Sequence, residues 1–229
     1  MIAIIPDVHG RQFWTKIKNK VDDFDKIIFL GDYLDPYTRY EDVTYEQTLS
    51  NFKELLEFAN NHKERVVLLY GNHDLFYVDE EKECCRHDYL NQGEIRKLFR
   101  ENSNLFQFAY KQNGCLFTHA GVTSEWLLQN NLKIDEEHIV PFLNSNPSEL
   151  WQIGASRGGF YDFGSPVWSC AYGDWPFCNN PYNLVQIFGH SQQQFIGSKK
   201  SFSHDTCHCI DSREIFVWNN GELKVFNNG

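Results

Sequence analysis

Short apolar runs recur along the chain, and the first three each stop at a turn rich in glycine, acid or histidine. Ile2 to Ile5 leads into Asp7 to Gly10, Lys26 to Leu30 into Gly31-Asp32, and Arg65 to Tyr70 into Gly71-Asn72-His73-Asp74. Continuous apolar runs bounded by turn residues predict buried strands. An amphipathic stretch follows the first turn, from about Arg11 to Lys20. The clearest helix lies between the second and third runs, where Tyr45, Leu49, Phe52, Leu55, Leu56 and Ala59 recur at helical spacing. Thr44 and Gln47 predict a capping box at its start, so it should occupy about 44 to 61. Strand, turn, helix, strand, turn predicts βαβ units with function at the carboxyl ends of parallel strands.

The second half has a looser pattern. Segments 87–101 and 124–153 favour short helices, interrupted by Leu105 to Gln112 and Gly114 to Thr118, which predict a hairpin around Asn113-Gly114. Runs at 184–188, 206–210, 214–218 and 222–226 predict strands, the last two joined at Asn220-Gly221. Gly154 to Pro181 is rich in Gly, Pro, Trp and Tyr and lacks periodicity, which predicts a long loop. The aromatics in and beside it (Trp151, Tyr161, Trp168, Tyr172, Trp175, Phe177) are either core beneath the loop or a wall for an aromatic ligand.

A length of 229 residues suits a single domain across 1–229, and 41% hydrophobic against 23% charged residues is a folded composition. A net charge of −10 argues against general attraction to nucleic acid or an anionic membrane, while leaving room for a local anion site. Seven cysteines cannot all pair, and a chain of this size needs no staples, so mostly free thiols are expected. The apolar start is too short for a signal peptide or a membrane span, which makes a cytoplasmic location the expectation.

Five blocks carry the chemistry: Asp7-Val8-His9, Gly31-Asp32-Tyr33-Leu34-Asp35, Gly71-Asn72-His73-Asp74, Thr118-His119-Ala120-Gly121 and Gly189-His190. Each sets metal-binding or proton-transferring groups at a strand end. Two neighbouring divalent cations repel unless they share an anionic oxygen, and Asp32 is the candidate bridge. Asp7 and His9 reach the first metal, and Asn72, His119 and His190 offer neutral ligands to the second. A mixture of carboxylate and imidazole suits Mn, Fe, Zn or Co. Asp74 reads by default as a turn or helix cap. His204, Cys207, His208 and Cys209 alternate like a half-buried strand, and no second Cys/His pair stands at zinc-finger spacing.

In this order, from residue 7 to 190, the blocks resemble the calcineurin-like metallophosphoesterases. The resemblance implies an α/β fold of two facing mixed β-sheets flanked by helices, a four-layer sandwich with a dimetal site at the sheet edge. It implies phosphate-ester hydrolysis by a hydroxide bridging two divalent metals, Mn above all, with His73 as proton donor and Asp35 as the carboxylate that orients it. Gly189-His190-Ser191-Gln192 lacks a second histidine that many members have. This resembles the serine/threonine phosphoprotein phosphatase branch and the bacterial dinucleoside-tetraphosphate hydrolases near it. In that branch an arginine that grips phosphate normally follows Gly-Asp-X-X-Asp, and here the position is Pro36. Arg157, flanked by glycines, is the first candidate replacement. Arg39 and Arg86 come behind it, and Arg86 stands in a charged run that usually marks a solvated face. Asn72 joins Arg157 and Arg39 among the expected substrate contacts. The expected partner is a phosphorylated substrate, either a phosphoprotein or, as the rival, a dinucleoside polyphosphate or other small phosphoester. From a different class, a catalytically silent metal-binding interaction protein is the alternative.

Overall fold

The computed structural model describes residues 1–39, 43–79, 86–192, 203–204 and 206–226. Cys84 and Cys85, counted above among the thiols, lie outside the described residues. The strands are β1 (Ile2–Ile5), β2 (Lys26–Phe29), β3 (Val66–Leu69), β4 (Phe106–Gln107), β5 (Ala109–Gln112), β6 (Cys115–Thr118), β7 (Val185–Phe188), β8 (Ser203–His204), β9 (Cys207–Cys209), β10 (Phe216–Asn219) and β11 (Glu222–Val225). The α-helices are α1 (Tyr45–Asn61), α2 (Asn72–Val78), α3 (Gln92–Glu101), α4 (Ser124–Gln129) and α5 (Ile139–Ser145). They form two compact units, Met1–Phe106 with Arg213–Gly229, and Gln107–Ser212.

Among the described residues the first unit holds a six-stranded mixed sheet ordered β11-β10-β1-β2-β3-β4. β1, β2 and β3 are parallel and almost wholly apolar, as strands covered on both faces must be. α1 carries both halves of its capping box: Gln47 N donates to Thr44 Oγ1 at 3.2 Å, and Thr44 N donates to Gln47 Oε1 at 2.9 Å. Its buried face sets Phe52 against Tyr33 and Phe99, with ring centroids 5.7 and 5.0 Å away. The amphipathic stretch after the first turn is 3₁₀ helix over Phe13–Asp23, broken at Lys20, and it buries Trp14, Ile17 and Val21. Asn220 and Gly221 turn the last hairpin with φ of 49° and 85°, the left-handed pair a two-residue turn requires. That hairpin returns to the first strand, since β10 pairs antiparallel with β1.

The second unit holds a five-stranded mixed sheet among the described residues, ordered β5-β6-β7-β9-β8. The hairpin at Asn113-Gly114 forms as expected, and β6, β7 and β9 run parallel. The run from Leu105 to Gln112 does not make one hairpin arm. It splits at Phe108, with β4 in the first sheet and β5 in the second. Asn144 Oδ1, from α5, accepts the amides of Phe108 and Ala109 at 2.8 and 3.0 Å and so replaces the ladder at the break. The long loop contains short 3₁₀ turns at Ala155–Arg157 and Trp175–Phe177. Its aromatics divide between the two expectations: Trp168 and Trp175 are buried, while Tyr161, Tyr172 and Phe177 are exposed. Cys207 and Cys209 are buried on either side of a half-buried His208, as strand alternation predicts. Among the described residues, Cys115, Cys170, Cys178, Cys207 and Cys209 are not joined in disulfides.

The fold class is therefore α/β, two mixed sheets with flanking helices. No helix among the described residues is long and apolar enough to cross a membrane.

Candidate metal centre and acid dyad

Seven described residues other than glycine have positive φ, and four of them are predicted site residues: His9 (43°), Asp32 (52°), Asp35 (56°) and His190 (66°). The other three are asparagines, which tolerate this conformation, so the strain is concentrated where the chemistry was expected. In the first unit the surrounding backbone holds it. Val8 N and His9 N both donate to Asp32 O, at 3.1 and 2.7 Å, and Gly10 N donates to Tyr33 O at 3.0 Å. Asp74, fully buried, accepts Asp32 N and Gly71 N at Oδ2, each at 2.8 Å, and Tyr33 N at Oδ1 at 3.1 Å. The cap expected of Asp74 thus ties two ligand turns together. A side chain on Gly31 would place its Cβ 2.3 Å from Gly71 N, and one on Gly71 would place its Cβ 2.2 Å from Asp32 Oδ1. Only glycines let these turns approach so closely.

Asp7, His9 and Asp32 are buried, with one ligand atom of each lying within 4.8 Å of the others. His9 Nδ1 donates to Leu34 O at 2.8 Å, because a carbonyl can only accept. The Nε2 lone pair then faces Asp32 Oδ2 at 3.5 Å. Burial, partly opposed by the charge of Asp32, pushes the His9 pKa down to about 3, so the imidazole is neutral at physiological pH. A lone pair aimed at a carboxylate oxygen is repulsive without a cation between them, and a backbone carbonyl orients the ring as it commonly does for metal ligands. This donor set fits a divalent metal. Asn72 is buried as the first residue of α2, and the next amide, His73 N, donates to Asp32 Oδ1 at 2.9 Å.

His73 Nδ1 donates to Asp35 Oδ2 at 2.7 Å, and Tyr77 Oη donates to Asp35 Oδ1 at 2.5 Å. Burial first, then the nearby Asp35 charge, pushes the Tyr77 hydroxyl far up, so it stays a donor. Arg86 Nη2 donates to His73 Nε2 at 2.9 Å and Nη1 donates to Asp35 O at 2.7 Å. Its guanidinium lies over the Tyr37 ring, 3.7 Å from the centroid, and Tyr37 stands edge-on to His9 at 5.0 Å. Arg86 is therefore not on a solvated face. Neither tyrosine was picked out from the sequence. Tyr77 carried a usable signal, four residues after His73 on the same helical face, whereas nothing local marked Tyr37.

In the second unit His119 follows β6 and His190 follows β7, with His119 Nε2 3.1 Å from His190 Nδ1. At that distance one ring donates to the other, or both lone pairs address a common cation. Cys209 Sγ donates to Gly189 O at 3.1 Å and to Ser191 O at 3.3 Å, holding the carbonyls on both sides of His190. Arg157 Nη2 donates to His190 O at 3.2 Å and Ser191 Oγ at 2.8 Å, which places it beside a predicted ligand. Arg39 is exposed.

A family model described as Calcineurin-like phosphoesterase matches residues 1–194, a span that takes in all five motif blocks. A search of curated protein sequences found no significant match.

Proposed function

The chain belongs to the calcineurin-like phosphoesterases, and from that premise we propose that two divalent cations, held by Asp7, His9, Asp32, Asn72, His119 and His190, support its hydrolysis of phosphoric esters. The observation that carries this reading is the joining of a cation-demanding trio, Asp7, His9 and Asp32, to a His-Asp dyad through one carboxylate. Asp32 faces His9 with one oxygen and accepts the His73 amide with the other. It is the proposed bridge. Divalent cations bound there would acidify coordinated water and draw charge from the phosphoryl oxygens. His73, oriented through Nδ1 by Asp35, has Nε2 as the atom that, once released from Arg86 and protonated from water, hands a proton to the departing alkoxide. Tyr77 holds the second Asp35 oxygen, so the carboxylate cannot rotate away from the imidazole. The mixed ligand set suits Mn, with Fe, Zn or Co as alternatives. The same proposal takes residues 1–229 as a single metallophosphoesterase domain.

The finer reading is a serine/threonine phosphoprotein phosphatase, supported by the single histidine in Gly189-His190-Ser191-Gln192, with Asn72, Arg157 and Arg39 as substrate contacts. Exposed Tyr161 and Tyr172, on the same loop as Arg157, favour a second reading, a dinucleoside polyphosphate or other small aromatic phosphoester. The test is hydrolysis of para-nitrophenyl phosphate with added Mn, alongside metal analysis. Turnover that a chelator abolishes is expected, with Asp32→Asn losing metal. Full metal loading without turnover would point to a silent binding protein, and an Asp32→Asn protein that keeps two metals would refute the bridge.

A further inference from the structure

We infer that Arg86 is the group that grips the substrate phosphate beside His73, supplying the guanidinium that position 36 does not. This inference rests on the phosphoesterase reading above and names a residue for its substrate contact. The guanidinium touches the dyad twice, at His73 Nε2 (2.9 Å) and at Asp35 O (2.7 Å), immediately before Pro36 in the chain. It thus reaches the carbonyl that directly precedes residue 36, but from a distant segment.

That segment is anchored. Arg86 O accepts the Tyr45 hydroxyl at 3.1 Å, the His87 ring stacks on Tyr77 with centroids 4.1 Å apart, and Asp88 N donates to Tyr77 Oη at 2.8 Å. The Tyr37 face supports the guanidinium from one side. A planar fork held by backbone, ring and helix is organised before a ligand arrives.

Neither of the two polar partners described for this guanidinium, a carbonyl and an imidazole, is an anion. Hydrogen bonds from a guanidinium to an anionic oxygen are about twice as strong as neutral ones, and its fork matches phosphate. A phosphoryl oxygen arriving beside His73 therefore draws Arg86 away from Nε2. The same step binds the anion and frees Nε2, which accepts and so carries no proton beside the guanidinium, to take up from solvent water the proton it gives to the leaving group.

The other candidates are placed differently. Arg157 directs Nη2 at His190 O and Ser191 Oγ and so braces a turn, and Arg39 is exposed.

The experiment is calorimetric binding of inorganic phosphate to the Mn-loaded wild type, Arg86→Ala and Arg86→Lys, with metal content and steady-state kinetics measured on the same samples. Arg86→Ala is expected to weaken phosphate binding and raise KM for para-nitrophenyl phosphate by at least about tenfold, the loss of a charge-assisted contact, with metal content unchanged. Arg86→Lys should recover part of this, and free guanidinium ion added to Arg86→Ala should restore phosphate affinity. Lys97→Ala, an exposed cation on α3, should match the wild type. An active wild type beside an Arg86→Ala protein that binds phosphate within about twofold overturns the inference and leaves the phosphoesterase reading standing. If Arg86→Ala folds poorly, a well-folded Arg86→Lys protein with wild-type phosphate affinity and no response of Arg86→Ala to guanidinium overturns it equally. A metal-loaded wild type that neither turns over nor binds phosphate fails both.

Discussion

The two units present their strand-end turns with opposite electrical character. In the first, Asp7, Asp32, Asp35 and Asp74 are all buried, whereas the second presents the imidazoles of His119 and His190. Burying an anion is far more costly than burying a neutral ring, so the first unit must surround its carboxylates with backbone donors and leave room for cations. Asp74 alone gathers three amides. The second unit holds its left-handed His190 with weaker means, a thiol donating to two carbonyls and one guanidinium contact. Anionic ligands demand a rigid polar scaffold, while neutral ones need only to be aimed.

That contrast is most exposed at His73. His73→Ala should retain metal and lose roughly 10²–10⁴ in rate on alkyl phosphates, with a smaller loss on para-nitrophenyl phosphate, whose leaving group needs no proton. Equal losses on both substrates would remove the acid role and with it part of the first unit's distinction. Asp74→Ala leaves three buried amides without their acceptor, at about 1–3 kcal/mol each, so a loss of roughly 3 kcal/mol or more is expected. For a chain of this size that is a fall in Tm of about 6–12 °C, accompanied by loss of metal. A melting curve that overlays the wild type would show that Asp74 is no brace. Cys209→Ala removes only a weak thiol donor and should cost about 1 kcal/mol, with Cys209→Ser close to the wild type. If Cys209→Ala proved as damaging as Asp74→Ala, the two turns would be equally demanding and the contrast would fail.

Legibility followed the range of the forces involved. The capping box at Thr44 and Gln47, the apolar face of α1 and the hairpin turns at Asn113-Gly114 and Asn220-Gly221 were readable because each is decided within a few residues. The return of the last hairpin to β1 was not, because edge pairing depends on which strand is left open when the sheet forms. The split at Phe108 was hidden as well, since Asn144, far along the chain, supplies the bonds that permit it. Arg86 was misplaced for the same reason: its charged neighbours suggested water, while its partners are Tyr37 and the dyad.

The five motif blocks, the apolar runs and turns that carry them and the family to which they belong were legible in the chain alone, because period, capping and glycine placement are local properties. It took packing across the fold to make Asp74 knot two motif turns, to hold His73 with Asp35 and Tyr77, and to bring Arg86 to that histidine from a distant segment. A hydrogen bond between residues some forty positions apart leaves no local trace: its geometry exists only once packing has brought the strand ends together.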